Sequence, residues 1–398
     1  MRRPRVLIST SAPALGGVDA MARFAVQCLA DRGYEPVLAY YAPYSAYPAL
    51  SVPSFKLLQH GVGAQSTVTP EGREAHALGA WLPELEFTHY AATRHWKALM
   101  DSCEAFVSVC GNVLAATPFL QTQRPFVAWV ATDWEGDRKD RVKGFPLARR
   151  WLDSYFNRHV IRRLESRLLS SGTILSLSEA TAAVLADAAG SNFRKQLLPV
   201  PVNTDLFVAV PSATVTGHLG FAGRFTDPRK NIGLLLQSVA TLRNEGHGVT
   251  LTLMGDNAGP DVAARVQALG IEFAVTFASE LSREKMAAVM QTLDVFVLPS
   301  HQEGLCISAL EAMACGVPVV STRCGGPEEF VIPHETGLLV DAQPAEMSHA
   351  IASIISDRTQ RARMSKAAQA IVEARYTRKQ AEATLIDAIS TTFPGTVH

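Results

Sequence analysis

One stretch constrains this chain more than any other: Leu298-Pro-Ser-His-Gln-Glu-Gly-Leu-Cys-Ile-Ser-Ala-Leu-Glu-Ala-Met-Ala-Cys-Gly-Val-Pro-Val-Val320. It is preceded by Asp294-Val-Phe-Val, a continuous apolar run of strand length, as a strand buried on both faces requires. Ile307 to Cys315 is rich in Ala, Leu, Met and Glu, residues that lose little on entering a helix. Gly316 and Pro318 end that helix, and Pro318 to Thr322 begins the next strand. The pattern predicts strand, loop, helix, strand. A helix N-terminus at a strand's carboxyl end favours an anion, because free N–H groups and the macrodipole both point there. Glu303 in the loop and Glu311 on the helix set two carboxylates beside that anion site. A ligand with a phosphate for the helix end and hydroxyls for the carboxylates accounts for both.

With Pro-Ser-x-x-Glu-Gly before it and Leu-Glu-Ala-Met-Ala-x-Gly-x-Pro-Val-Val after it, the stretch closely resembles the signature of the retaining GT-B glycosyltransferases of family 4 (glycosyl transferases group 1). The two glutamates alone, with seven residues between them, would say little; the whole stretch is specific. The resemblance implies that Glu303 sits at the donor sugar, helped by backbone groups of Gly304, Leu305 and Cys306. It also implies that Ser308 lies near the diphosphate and that Glu311 holds the ribose hydroxyls. Cys306 stands where many members have a second glycine, which predicts a tighter sugar pocket.

The N-terminal end reads as a βαβ unit. Arg5 to Thr10 is a short strand, Val18 to Leu29 carries apolar residues at helical spacing, Gly33 ends the helix, and Tyr34 to Tyr40 is the next strand. Gly16 and Gly17 lie at the first strand's carboxyl end, where open α/β sheets bind ligands. By themselves they are equally well an ordinary tight turn; the resemblance implies that they face the donor phosphates. Neither a dinucleotide fingerprint nor a Walker loop occurs. From Ala42 to Leu99 the pattern is irregular. Ala105–Val109, Pro125–Val130 and Thr173–Leu177 read as further strands, and Ser178 as a helix cap. After the second of these strands the chain has Thr132-Asp133 where many family members carry a His near the reacting sugar, so no side-chain base is assigned.

Residues 138–169 are dense in Arg and Lys interleaved with Trp, Tyr, Phe and Leu. They read either as a solvated helix face over its own core or as a peripheral contact with an anionic membrane or a lipid-linked acceptor. Pro199 and Pro201 stiffen a linker ahead of Phe207. Beyond it, His218 to Arg224 reads as a strand ending in Gly-Arg, and Lys230 stands at the start of a helix running from Ile232 to Arg243. Arg224 and Lys230 match the family's pair of cations. Taken singly, each would read as a surface salt-bridge former. As a pair they suit a nucleoside diphosphate that gains charge while leaving, Arg as a planar fork and Lys as a point charge. Helices are expected over 346–357, 360–375 and 379–389.

These readings give an α/β expectation of two doubly wound, Rossmann-like domains facing across a cleft: 1–205 on the acceptor side, with 377–398 crossing back onto it, and 206–376 binding the nucleotide-sugar. At 398 residues the chain can give each domain its own core. A hydrophobic share of 47% against 19% charged excludes a disordered chain, and zero formal net charge gives no argument for nucleic acid as a partner. Cysteines 28, 103, 110, 306, 315 and 324 lack Cys-x-x-Cys spacing and read as small buried residues in a reducing compartment. The apolar run after Met1-Arg-Arg-Pro-Arg5 is too short for a leader, and no run reaches membrane-spanning length.

The expected activity is that of a hexosyltransferase. A UDP- or GDP-sugar donor and a saccharide or lipid-linked acceptor are expected in polysaccharide or glycolipid synthesis. Arg224, Lys230 and Glu303 are expected at the reaction centre, without metal or cofactor, and the place of action is the cytoplasm or the inner face of the membrane. A nucleotide-sugar epimerase of similar fold and a non-catalytic sugar-nucleotide-binding protein are the alternatives. Retention with no evident carboxylate nucleophile predicts same-face attack guided by the leaving phosphate.

Overall fold

The structure is a computed structural model, and it describes residues 3–12, 17–69, 72–138, 157–190, 193, 196–210 and 216–395. The chain divides into two units, Met1–Leu198 with Glu382–His398, and Pro199–Ala381. The division falls a few residues before the expected boundary at 205. Val202 N donates to Tyr376 O at 2.8 Å and Phe207 is buried, so the proline-stiffened segment belongs with the second unit.

The first unit is built on β1 (Arg5–Thr10), β2 (Glu35–Tyr41), β3 (Ala64–Val68), β4 (Glu74–Leu78), β5 (Ala105–Cys110), β6 (Val127–Val130), β7 (Thr173–Ser176) and β8 (Gln196–Leu197). Their order is β3-β4-β2-β1-β5-β6-β7-β8, parallel throughout except for the β3–β4 pair. β5 and β6 are buried along their whole length, as a parallel sheet covered on both faces demands. Helix Arg378–Thr392 runs into this unit. Thr392 and Thr173 share a hydroxyl hydrogen bond of 2.8 Å, and Phe393 meets Phe106 edge-on with centroids 6.0 Å apart. Ser178 caps helix Glu179–Ala189 by accepting from Thr181 N at 3.0 Å. The β3–β4 hairpin occupies part of the irregular region between Ala42 and Leu99.

The second unit has β9 (His218–Gly223), β10 (Thr250–Gly255), β11 (Val275–Ser279), β12 (Val295–Leu298), β13 (Val319–Thr322) and β14 (Gly337–Val340). Their order is β11-β10-β9-β12-β13-β14, all parallel. The chain winds outward from β9 to β11, then returns to lay β12 on the other side of β9. That reversal leaves a crevice beyond the carboxyl ends of β9 and β12, where open parallel sheets take their ligands. A 3-10 turn (Glu272–Ala274) leads into β11, which starts at Val275. All six cysteines are free and buried. Among the described residues, no helix is long and apolar enough to cross a membrane.

Candidate functional site

Two loops meet at the reversal point of the second unit. The first leaves β9 at Gly223 and makes a 3-10 turn over Pro228–Lys230. Asp227 caps that turn, accepting from Arg229 N at 3.1 Å, and its carboxylate also holds the Arg229 and Arg224 guanidinium groups at 2.8 and 3.2 Å. Asp256, just past β10, accepts from Phe225 N at 2.7 Å and fixes the base of the loop. Asn231 then takes a left-handed conformation (φ +47°), a backbone state Asn tolerates better than most residues, and helix Ile232–Asn244 begins.

The second loop leaves β12 and carries Glu303. It is tied to the first where His301 N donates to Arg229 O at 2.7 Å. Glu303 N donates to Cys324 O at 2.8 Å, and Gly326 N returns a bond to Glu303 O at 3.0 Å. A Cβ at Gly326 would lie 2.2 Å from Gly304 O and 2.7 Å from Leu305 Cα, so this approach requires glycine. Pinned in this way, Glu303 accepts from Ser300 Oγ and forms an ion pair with Lys230, Nζ to Oε1 2.7 Å. The pair is largely enclosed, with side-chain exposures of 17% and 11%. Burial alone would depress the Lys230 ammonium, but the adjoining Glu303 carboxylate more than offsets this and raises it above its ordinary value.

The helix after this loop is Ile307–Ala314. Its N-cap, Cys306, sits at φ +69°, a region where glycine is the easy choice, so the side chain is carried at a cost in backbone strain. Burial and the nearby Glu303 push the Cys306 thiol up to about 12, which keeps it neutral. Ser308 donates its hydroxyl proton to Ala222 O at 3.1 Å; what it offers an anion is its place in the first helical turn. Leu305 is buried and Gly304 lies against Gly326. Glu311 is 2% exposed and meets Arg283 Nη2 at 2.5 Å.

The structure therefore brings Lys230, Glu303 and Cys306 together and sets Ser308 and Glu311 on the adjoining helix. Arg224 is on the same loop as Lys230 but is 65% exposed and turned onto Asp227. Gly17 opens helix Gly17–Asp31 in the first unit, and Gly16 lies outside the described residues. In the Thr132-Asp133 loop, Asp133 accepts from Gly136 N at 3.1 Å and caps the short helix Trp134–Arg138. The carboxylate in the His position thus serves its own turn. Of the basic stretch 138–169, residues 139–156 lie outside the described residues. In the described part, Arg158 and Arg162 clasp Glu135 at 2.8 and 2.7 Å, and Ile161, Leu168 and Leu169 are buried. Sequence reasoning missed Arg283 and the hydrogen bond of Ser300 to Glu303. Arg283 carries a signal in hindsight: a cation in the first turn of a helix opposes the macrodipole and needs a partner.

The parallel sheets and the paired loops at the reversal point define a GT-B architecture. Sucrose-phosphate synthase from Thermosynechococcus elongatus superposes with a TM-score of 0.75 at 22% identity, over 98% of this chain and 99% of that one. Residues 216–371 match the model of the glycosyl transferases group 1. The D-inositol 3-phosphate glycosyltransferase of Arthrobacter sp. (strain FB24) is 34% identical over 157 residues, 38% of this chain and 37% of that protein. The GDP-mannose-dependent alpha-mannosyltransferase of Mycolicibacterium smegmatis is 37% identical over 140 residues, 34% of each chain. These matches span little more than a third of the curated relatives.

Proposed function

We propose that this chain is a retaining, metal-independent glycosyltransferase that moves a hexosyl group from a UDP- or GDP-sugar to a hydroxyl of a saccharide or lipid-linked acceptor, in polysaccharide or glycolipid assembly. The observation that carries the reading is the enclosed Lys230–Glu303 pair (2.7 Å) at the reversal point of the sheet, inside the group 1 match at 216–371. A nucleotide-sugar offers each member a new partner: sugar hydroxyls for Glu303, diphosphate oxygens for Lys230. Charge grows on the diphosphate as the anomeric C–O bond breaks, and fixed cations in a water-poor site stabilise it. Lys230 and, once released from Asp227, Arg224 supply this charge, and the first turn of helix Ile307–Ala314 adds its N–H groups and dipole. Glu311 receives the ribose hydroxyls.

For retention, the acceptor oxygen bonds to the anomeric carbon on the face the phosphate leaves, and the acceptor's proton passes to the departing phosphate oxygen. No side-chain base is needed, which fits a Thr132-Asp133 loop whose carboxylate is engaged in capping. We place the reaction in the cytoplasm, with the 138–169 stretch resting on the inner face of a membrane. The exposed His159, Arg163 and Arg167, spaced along one side of helix Arg158–Ser171, support this. The test is to incubate the protein with UDP- and GDP-hexoses and saccharide acceptors in EDTA, following anomeric protons by NMR. A retained linkage is expected; an inverted product, or a strict need for divalent metal, overturns the mechanism. Flotation with anionic vesicles should show salt-sensitive binding, and its absence counts against the membrane contact.

A further inference from the structure

Arg283 is the first residue of helix Arg283–Met290, after the N-cap Ser282. A cation at that position meets the positive end of the helix dipole, which disfavours it. Its guanidinium nevertheless reaches across to Glu311, Nη2 to Oε1 2.5 Å, while remaining 53% exposed over a carboxylate that is 2% exposed. Beneath it lies Phe207, its ring centre 4.8 Å from the guanidinium carbon, a stacking geometry that fixes the plane of the fork. The arrangement has one buried anion, one cation roofing it, and an aromatic platform that aims the cation.

Little else in the surroundings can carry charge to Glu311. Cys315, one turn along the same helix, is the neighbouring titratable group; burial and Glu311 push its thiol up to about 12, so it stays neutral. Helix Arg358–Arg375, packed on the same helix, presents Ser365 and Gln369 at Gly316, and its Arg361 is engaged with Asp294 at 2.9 Å. Among the described residues, Arg283 is the only charge acting on Glu311.

We infer that Arg283 is a positioning residue for nucleotide recognition: its guanidinium holds the Glu311 carboxylate turned to accept both ribose hydroxyls. The inference rests on the donor-site reading proposed above. Its chemistry is simple. An ionised carboxylate can accept from the 2′- and 3′-hydroxyls together, whereas a protonated one gives up part of that capacity to its own O–H. Burial raises the Glu311 carboxyl above its ordinary value, and Arg283 offsets only part of that push. Without Arg283 only the upward push remains, and the carboxylate takes up a proton as pH falls toward neutrality and below.

The test compares wild type, Arg283→Ala and Arg283→Lys by calorimetric titration with UDP and GDP, and with their 2′,3′-dideoxy analogues, between pH 6 and 8.5. Wild type should prefer the ribonucleotide over its dideoxy analogue by a ratio that changes little with pH. In Arg283→Ala the preference should shrink roughly 10- to 100-fold at pH 6 and partly recover at pH 8.5, as expected for loss of a charge-assisted hydrogen bond. Arg283→Lys should restore most of the preference at pH 6, because the charge returns although the fork does not. Melting temperatures show whether each variant is folded; the exposed side chain should tolerate both changes. An undiminished, pH-independent ribose preference in Arg283→Ala overturns the inference while leaving the donor site standing. Tighter binding of every nucleotide by Arg283→Ala overturns it too, by making Arg283 a block. Failure of wild type to bind either nucleotide removes the donor-site reading, and the inference with it.

Discussion

Lys230 Nζ lies 2.7 Å from Glu303 Oε1, joining the loop that leaves β9 to the loop that leaves β12. Neither residue is near the other in sequence, and the bond exists because the sheet reverses direction between these two strands. Removing one partner leaves the other enclosed and unpaired. Lys230→Met and Glu303→Gln should each lower transfer by at least about 100-fold. Each should also cost about 1–3 kcal/mol of stability, whereas the double variant should be more stable than the sum of the two losses predicts. Urea unfolding and initial rates on the three variants check this; strict additivity in stability would contradict the pairing.

Gly326 touches no ligand in the proposed site, yet a methyl there would lie 2.2 Å from Gly304 O. Gly326→Ala should push the Glu303–Leu305 backbone outward and weaken UDP or GDP binding by at least about 10-fold, the scale of a positioning error of about 1 Å. No side chain named in the site would be removed. Calorimetric titration of a folded Gly326→Ala protein decides the matter, and wild-type affinity would contradict the close approach.

Cys306 holds a left-handed backbone with φ +69°. Cys306→Gly should be neutral or stabilising by about 1 kcal/mol, since relief of strain offsets loss of a small buried thiol. Cys306→Val should lose at least about 2 kcal/mol, because β-branched side chains are the least tolerant of positive φ. Thermal melts of both variants provide the comparison, and a more stable Val variant would falsify the strain argument.

Glu165 is buried at 2% exposure and accepts from Trp134 N at 2.8 Å. Burial pushes its carboxyl up to about 7 from an ordinary 4.5. The folded protein therefore keeps a proton that the unfolded chain releases, and stability falls as pH rises from about 4.5 to 7. Glu165→Gln keeps an acceptor for Trp134 N and removes the titration. It should be more stable than wild type at pH 8, by at most about 3 kcal/mol, with little difference near pH 4. Urea unfolding at the two pH values tests this, and a constant difference would sink it.

The parallel strands were legible in the sequence because strands buried on both faces appear as unbroken apolar runs: Val295–Leu298 and Val319–Thr322 fall within one residue of the expected segments. Strand β3 was not. Its residues Ala64–Val68 are almost all exposed, so no hydrophobic pattern marks them, and they are a strand only because β4 supplies the partner. The site divides along the same line. Lys230 and Glu303 stand in motifs whose spacing carries information. Arg283 reaches Glu311 across 28 positions, by a contact that only the return of the chain from β11 creates. At Thr132-Asp133, where no side-chain base was assigned, the Asp133 hydrogen bonds give the carboxylate to the turn.

The mutual engagement of Lys230 with Glu303 has a last consequence, for discrimination. In the proposed donor site, charges already matched to each other would make the pair act as a coincidence detector. A bare phosphate that draws Lys230 away strands Glu303 without a counter-charge, and a free sugar that occupies Glu303 strands Lys230. Each half-ligand must overcome the bond it breaks. If Lys230 and Glu303 hold the donor as proposed, a molecule carrying diphosphate and hydroxyls on one scaffold would replace both ends at once, and the ion pair would select it over either fragment.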